Sequence, residues 1–221
     1  MKICWCGALV FMLSTFIAAQ PSPVAVEDEP HHHLVLKNDS VMVVRVTLLP
    51  GESTLFHTHL YDRVTVDLTD TTITRQRPGD PKVVTEATKP GDVAALESKG
   101  PFTHLVHNAG NASFEALDVE VLHRPAKAAG AAAAKVEAEN PSARVYKWTL
   151  APGSSSAMHT HERPYLIISA TPLMLKMTDP EGKSFTHEVK AGDIHWVDAK
   201  VTHSLANEGT VAGTIVEIEL K

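Results

Sequence analysis

The chain has 221 residues, 43% of them hydrophobic and 21% charged, with a formal net charge of −6. That length suits two domains of about a hundred residues each, and the composition is that of an ordinary globular protein. The acidic balance and the lack of any basic run argue against nucleic acid as a partner.

The N-terminus is different in kind. Lys2 is followed by an uncharged apolar stretch, Ile3 to Ala19, which ends at Ala18-Ala19 before Gln20-Pro21-Ser22-Pro23. This pattern predicts a cleaved secretory signal peptide over residues 1–19. It implies a secreted or periplasmic protein with no stable membrane insertion after cleavage. The rival reading is an uncleaved anchor, since the stretch is at the short limit for a membrane span. Both cysteines, Cys4 and Cys6, lie in this segment, so the cleaved chain has no thiolate to offer a metal. Ligands would be histidine, carboxylate or water, and all 13 histidines follow residue 30.

In chain order, residues 20–40 read as a linker or arm rich in Pro and acidic residues. The triplet His31-His32-His33 either binds metal or is a polar entry to the first strand with one ring packed on the domain that follows. Val41 to Leu49 is β-branched and apolar, a strand. Pro50-Gly51 turns the chain into a strand carrying His57-Thr58-His59. Val64 to Leu68 and Thr71 to Thr74 alternate as strands do. Arg77-Pro78-Gly79-Asp80-Pro81 is a turn, and Gly91-Asp92 is a tight bend. His104 to Gly110 and Phe114 to Leu122 complete a first domain over 41–124. Residues 125–142, alanine-rich around Gly130, are a linker, either loose or a short exposed helix. A second domain of strands runs over 143–221 and ends in the alternating Ile215 to Leu220.

The two domains repeat one another. Pro50-Gly51, five residues and His57-Thr58-His59 are answered about 100 residues later by Pro152-Gly153, five residues and His159-Thr160-His161. Gly91-Asp92 is answered by Gly192-Asp193. Thr103-His104, Asn108 and Gly110 are answered by Thr202-His203, Asn207 and Gly209. Blocks in one order at nearly constant offset mark an internal duplication. Side chains alternate along a strand, so His57 and His59 share a face, as do His159 and His161. Two imidazoles on one face form half of a metal site.

Gly, five residues, His-x-His, then Gly-Asp and His-x3-Asn-x-Gly resembles the two cupin motifs, present here in each half. The chain is thus similar to the bicupins from about Val41 onward. The resemblance implies an all-β fold of two tandem antiparallel jelly-roll barrels, each holding a divalent metal. It implies His57, His59 and His104 as ligands in the first, and His159, His161 and His203 in the second. The family's motif glutamate, three or four residues after the second histidine, is missing: Arg63 and Val64 stand there in one half, Tyr165 and Leu166 in the other. The second site is therefore expected to hold three histidines and no carboxylate, with Glu162 pointing outward. The first is either the same or three histidines plus Asp62, if a bulge turns Asp62 inward.

Three neutral imidazoles leave the full charge of the ion in place, which favours an anionic, chelating ligand and acidifies bound water. The residues leave the metal open among Fe, Mn, Cu, Ni and Zn. Arg63 either clamps a substrate carboxylate or is a solvated charge at the strand edge. Tyr165 either donates a proton or hydrogen bond beside the metal or packs the wall. The remaining histidines, His107, His123, His187 and His195, read as surface or packing residues. Expected functions are an oxygenase-type enzyme acting on a small anionic or oxygenated molecule, a non-catalytic small-molecule or metal binder, or an isomerase. A homo-oligomer is left open.

Overall fold

The computed structural model describes residues 22–123, 132–198 and 200–221. The expected signal segment, and the linker from 124 to 131, lie outside the described residues. Among the described residues there is no α-helix, and strands are antiparallel with one exception.

Each half is a jelly roll of two facing open sheets. In the first half one sheet runs His32–Lys37, Val41–Leu48, Phe114–Val121, Asp62–Asp67, Val93–Leu96. Its partner runs Val24–Ala25, His57–His59, Phe102–Asn108, Thr71–Gln76, Val83–Thr88. The second half repeats this order. Ala138–Glu139, Ala143–Leu150, Gly213–Leu220, Tyr165–Ser169 and Ile194–Val197 form one sheet. His159–His161, Val201–Asn207, Leu173–Thr178 and Ser184–Val189 form the other.

The N-terminal arm is more ordered than its composition suggests. Val24–Ala25 adds a short parallel strand beside His57 and Thr58, and His32–Lys37 pairs with Val41–Leu48. Buried Val26 packs with Met42 and Val44, which gives these residues an apolar reason to dock. The end of the linker is strand as well, Ala138 and Glu139 pairing with Val145 and Arg144.

The central strands are covered on both faces, so they read as nearly continuous apolar runs. Strand parity divides their side chains. Val41, Val43, Leu117, Val119 and Val121 of the first half pack in one cluster with Val145, Leu166, Ile168, Val216 and Ile218 of the second. The halves thus meet back to back across a shared core. The opposite faces fill the two barrel interiors, Val46, Leu48, Ile73 and Phe114 in one, Leu150, Ile167, Leu205 and Ile215 in the other. Close approach between halves needs glycine: a Cβ on Gly91, at φ +84°, would lie 2.8 Å from Thr214 Cγ2, and one on Gly192, at φ +83°, 2.7 Å from Arg45 Nη2.

Each motif asparagine closes its barrel loop in the same way. Asn108 Nδ2 donates to Leu48 O and Ala112 O at 2.9 and 2.8 Å, and Asn207 Nδ2 donates to Leu150 O and Val211 O at 3.0 and 2.7 Å. The loops that follow each second-motif histidine strand are therefore pinned, and the histidines are presented on fixed backbone.

Candidate metal centres

In both halves the His-Thr-His strand pairs with the strand that carries the third histidine. His57 lies opposite His104 and His159 opposite His203, with Thr58–Thr103 and Thr160–Thr202 joined through their hydroxyls at 2.8 and 2.9 Å. This register brings three imidazoles together twice, and all six are buried.

In the second half a fourth group enters. His159, His161, His203 and Glu217 place one ligand atom each within 4.8 Å of one another. Glu217 lies 3.1 Å from His159 Nε2, 3.4 Å from His161 Nε2 and 3.0 Å from His203 Nε2. The expectation of a second site without a carboxylate is thus corrected. The acid comes from the last strand, Gly213–Leu220, where parity turns Ile215, Glu217 and Glu219 inward while Val216 and Ile218 face the other half. Glu162, by contrast, is exposed and pairs with Lys200 at 2.9 Å.

This group fits a divalent metal. Buried polar atoms normally find partners, yet His161 Nε2, His203 Nε2 and Glu217 Oε1 have none. They are close but not aligned for hydrogen bonds with each other. Surrounding groups orient the ligands: His159 Nδ1 donates to Ala157 O at 2.9 Å, which turns Nε2 toward Glu217 and the other two imidazoles. His161 Nδ1 faces Glu219 at 3.5 Å, and Glu219 accepts the Tyr146 hydroxyl at 2.7 Å. Trp148 Nε1 donates to Glu217 Oε2 at 2.6 Å.

The charges agree with a cation-seeking site. Burial opposes a charged Glu217, but the imidazoles of His159, His161 and His203 around it outweigh burial and hold its carboxyl well below the usual range. Burial likewise opposes a charged His161, but Glu217 and Glu219 outweigh it and push the imidazole up to about 9. Tyr165 is fully buried, stacked on His161 with centroids 4.0 Å apart, and its hydroxyl has no partner. Burial and then Glu217 raise its pKa, so it stays a neutral phenol.

The first half differs at two positions. His57, His59 and His104 also place ligand atoms within 4.8 Å of one another. Here Arg63, not a carboxylate, points inward: Nη1 lies 2.7 Å from His59 Nε2 and 3.0 Å from Asp118 Oδ2. Asp118 holds the register position of Glu217, and Glu120 that of Glu219. Asp62 faces the other way, accepting from Ser142 Oγ at 2.5 Å and Ser98 N at 2.7 Å, which removes the alternative that made it a fourth ligand. No bulge interrupts this strand, so the parity set by His59 holds.

Electrostatics keep this group of histidines neutral. Burial, reinforced by His32, pushes His57 down to about 3; burial does the same to His59, and it also lowers His104. Burial would raise Asp118, but Arg63 and the histidines outweigh it, and its pKa is lowered. Burial and Asp118 push Glu120 up to about 8. His32 of the histidine triplet packs edge-on against His57 with centroids 4.6 Å apart, and His32 Nδ1 donates to Val26 O at 2.9 Å.

Access separates the halves further. A cavity of about 750 Å³ reaches His57, His59, His104 and Arg63, with Arg77 and Phe102 in its wall. Arg77 lies over the Phe102 ring at 5.0 Å, and Val46, Val93 and Phe114 add apolar surface to the lining. The second half has a smaller cavity of about 430 Å³, lined by Ile167, Met177, Phe185, His187, His195 and Ile215 among others, which does not reach the four ligands. His187 and His195 thus line a cavity, which their sequence context did not signal.

The acids on the two long closing strands are what sequence reading missed. A signal exists: Asp118-Val119-Glu120 and Glu217-Ile218-Glu219 form one more repeated block, acids on alternate positions of an otherwise apolar strand.

No protein-family model matches the chain, and no curated protein matches it. Solved structures do. A cupin 2 conserved barrel domain protein from Leptotrichia buccalis is 14% identical with a TM-score of 0.50, over 86% of this chain and 88% of that one. The formate complex of oxalate decarboxylase from Lactobacillus farciminis is 12% identical, TM-score 0.55, over 91% and 87%. A salicylate 1,2-dioxygenase from Pseudaminobacter salicylatoxidans is 13% identical, TM-score 0.53, over 81% and 70%. At such identities the likeness is one of fold. The fold is that of the cupin proteins, and the buried histidine groups sit in it as groups that could hold a metal.

Proposed function

We propose that this chain is a metal-binding bicupin that takes a small anionic or oxygenated molecule. The observation that carries it is the convergence of His159, His161, His203 and Glu217, with three of their ligand atoms unpartnered in a buried site. These residues would hold a divalent ion, which would supply Lewis acidity or redox chemistry according to its identity. In the binder reading the small molecule takes the first-half cavity, which Arg77 and the imidazoles of His57, His59 and His104 line.

Two readings of activity follow. An oxygenase-type enzyme is supported by the fold shared with the dioxygenase and decarboxylase above. A non-catalytic binder is supported by burial: none of the four ligand residues in the second half is more than 5% exposed. Metal analysis joined to oxygen uptake with a panel of small carboxylates separates them. A redox metal with uptake supports the enzyme. Metal without uptake, together with carboxylate-dependent thermal stabilisation, supports the binder. A chain that takes up no metal contradicts both.

Export is proposed on the sequence of residues 1–19 alone. Mass spectrometry of the protein from its host would show a start near Gln20, and an intact N-terminus in the cytosol would contradict it.

A further inference from the structure

We propose that the first-half histidine group excludes metal, because the Arg63 guanidinium occupies the place of the ion, so that the chain carries one metal and not two. The reasoning starts from donors and acceptors. A guanidinium only donates, so its 2.7 Å contact requires His59 Nε2 to accept. The His59 proton is then on Nδ1, where Glu120 Oε1 accepts it at 2.8 Å. His104 Nε2 lies 3.0 Å from the same His59 nitrogen. Since that nitrogen accepts, His104 Nε2 carries a proton and donates. Two of the three nitrogens that would grip an ion are therefore spent: one lone pair receives hydrogen bonds and the other nitrogen is protonated.

Charge acts in the same sense. An ion at the histidine group would sit against a fixed positive guanidinium, among side chains that are themselves buried. The guanidinium is held there. Arg63 is 7% exposed, bonded to Asp118, and lies over Phe102 at 5.4 Å. Withdrawing it would leave Asp118, itself 5% exposed, as a buried unpaired carboxylate. The two changes go together: an arginine where the other half has tyrosine, and an aspartate one methylene shorter than glutamate. The shorter acid neutralises the arginine instead of reaching the imidazoles. Arg63 and Asp118 thus form an internal substitute for a metal–carboxylate pair, and the cavity above them is left with neutral imidazoles and a compensated cation.

The test counts metal in the full chain. Protein is loaded with Co²⁺ or Zn²⁺, desalted and measured by inductively coupled plasma mass spectrometry. Wild type is expected to hold one ion per chain, and His104→Ala to hold one as well. The paired variant Arg63→Tyr with Asp118→Glu, which copies the second half, is expected to gain a second ion. Two ions in wild type, or loss of an ion in His104→Ala, would overturn the proposal. So would a paired variant that melts cooperatively yet gains nothing. Failure of the metal reading of the second half is distinguishable: there His161→Ala would leave the count unchanged, or wild type would hold no ion while the paired variant still gained one.

Discussion

Arg63 and Tyr165 hold the same place in the two halves, opposite Glu120 in one and Glu219 in the other. Each lies on the second histidine of its own pair, Arg63 as a donor to His59 Nε2 at 2.7 Å and Tyr165 as a ring stacked on His161 at 4.0 Å. One side chain brings a charge to the imidazole and the other a flat neutral wall. Duplicated folds have thereby become two chemically different interiors.

The carboxylate that orients His161 should matter to metal affinity without touching the ion. Glu219→Gln weakens the acceptor facing Nδ1 and should lower affinity about 10–100-fold, as such supporting groups do. Glu217→Gln should cost more, since it removes the charged ligand itself. Competition with a chromophoric chelator measures both. Equal, negligible losses in the two variants would contradict the arrangement.

Metal binding in the second half should release a proton. With His161 pushed up to about 9, the imidazole is protonated at neutral pH and must lose that proton to bind. Apparent affinity should therefore fall as pH drops below about 9, by up to tenfold per unit. Calorimetry in buffers of different ionisation enthalpy would show about one proton released at pH 7.5. Buffer-independent heats would count against it.

Acid should weaken the first half of the metal-free protein. His57 and His59 titrate near 3 when folded, against an ordinary value of about 6.5 when unfolded. The unfolded chain binds protons first, so stability present above about 6.5 is lost as pH falls toward 3, by up to about 1.4 kcal/mol per pH unit per group. Glu120 works in the opposite sense between its ordinary value and about 8, since its folded form keeps the proton longer. The contrast is cleanest below pH 4.5, comparing wild type with His57→Gln in urea. A slope unchanged by that substitution would be the wrong result.

The shared core should make the halves unfold together. Ile218 is fully buried among residues of both halves, and Ile218→Ala should cost about 2–5 kcal/mol. Trp148 and Trp196 report on the second half, while far-ultraviolet dichroism reports on the whole chain. The two melting curves should coincide in wild type and shift together in the variant. Separate transitions would show the back-to-back packing to be weak.

Much of this was legible in the sequence because the relevant signals are local. Period-two alternation put His57 with His59 and His159 with His161, and the repeat located His104 and His203. Glu217 and Asp118 were not legible in the same way. Their strands are covered on both faces, so alternation of apolar and polar residues, the usual mark of an inward face, is inverted there: acids point into the barrel and valine and isoleucine point at the other half. Nor does sequence spacing say that Asp62 meets Ser142 across 80 positions. The order in Val24–Lys37 was likewise hidden, since it comes from docking on strands already formed.

The central claim is a metal held by His159, His161, His203 and Glu217. Crystals of cobalt- or zinc-loaded protein, measured on either side of the absorption edge, test it most directly. An anomalous peak amid those four side chains, with none beside Arg63, is the predicted result. A peak at His57, His59 and His104, or no peak between His161 and Glu217 in fully loaded protein, would contradict it.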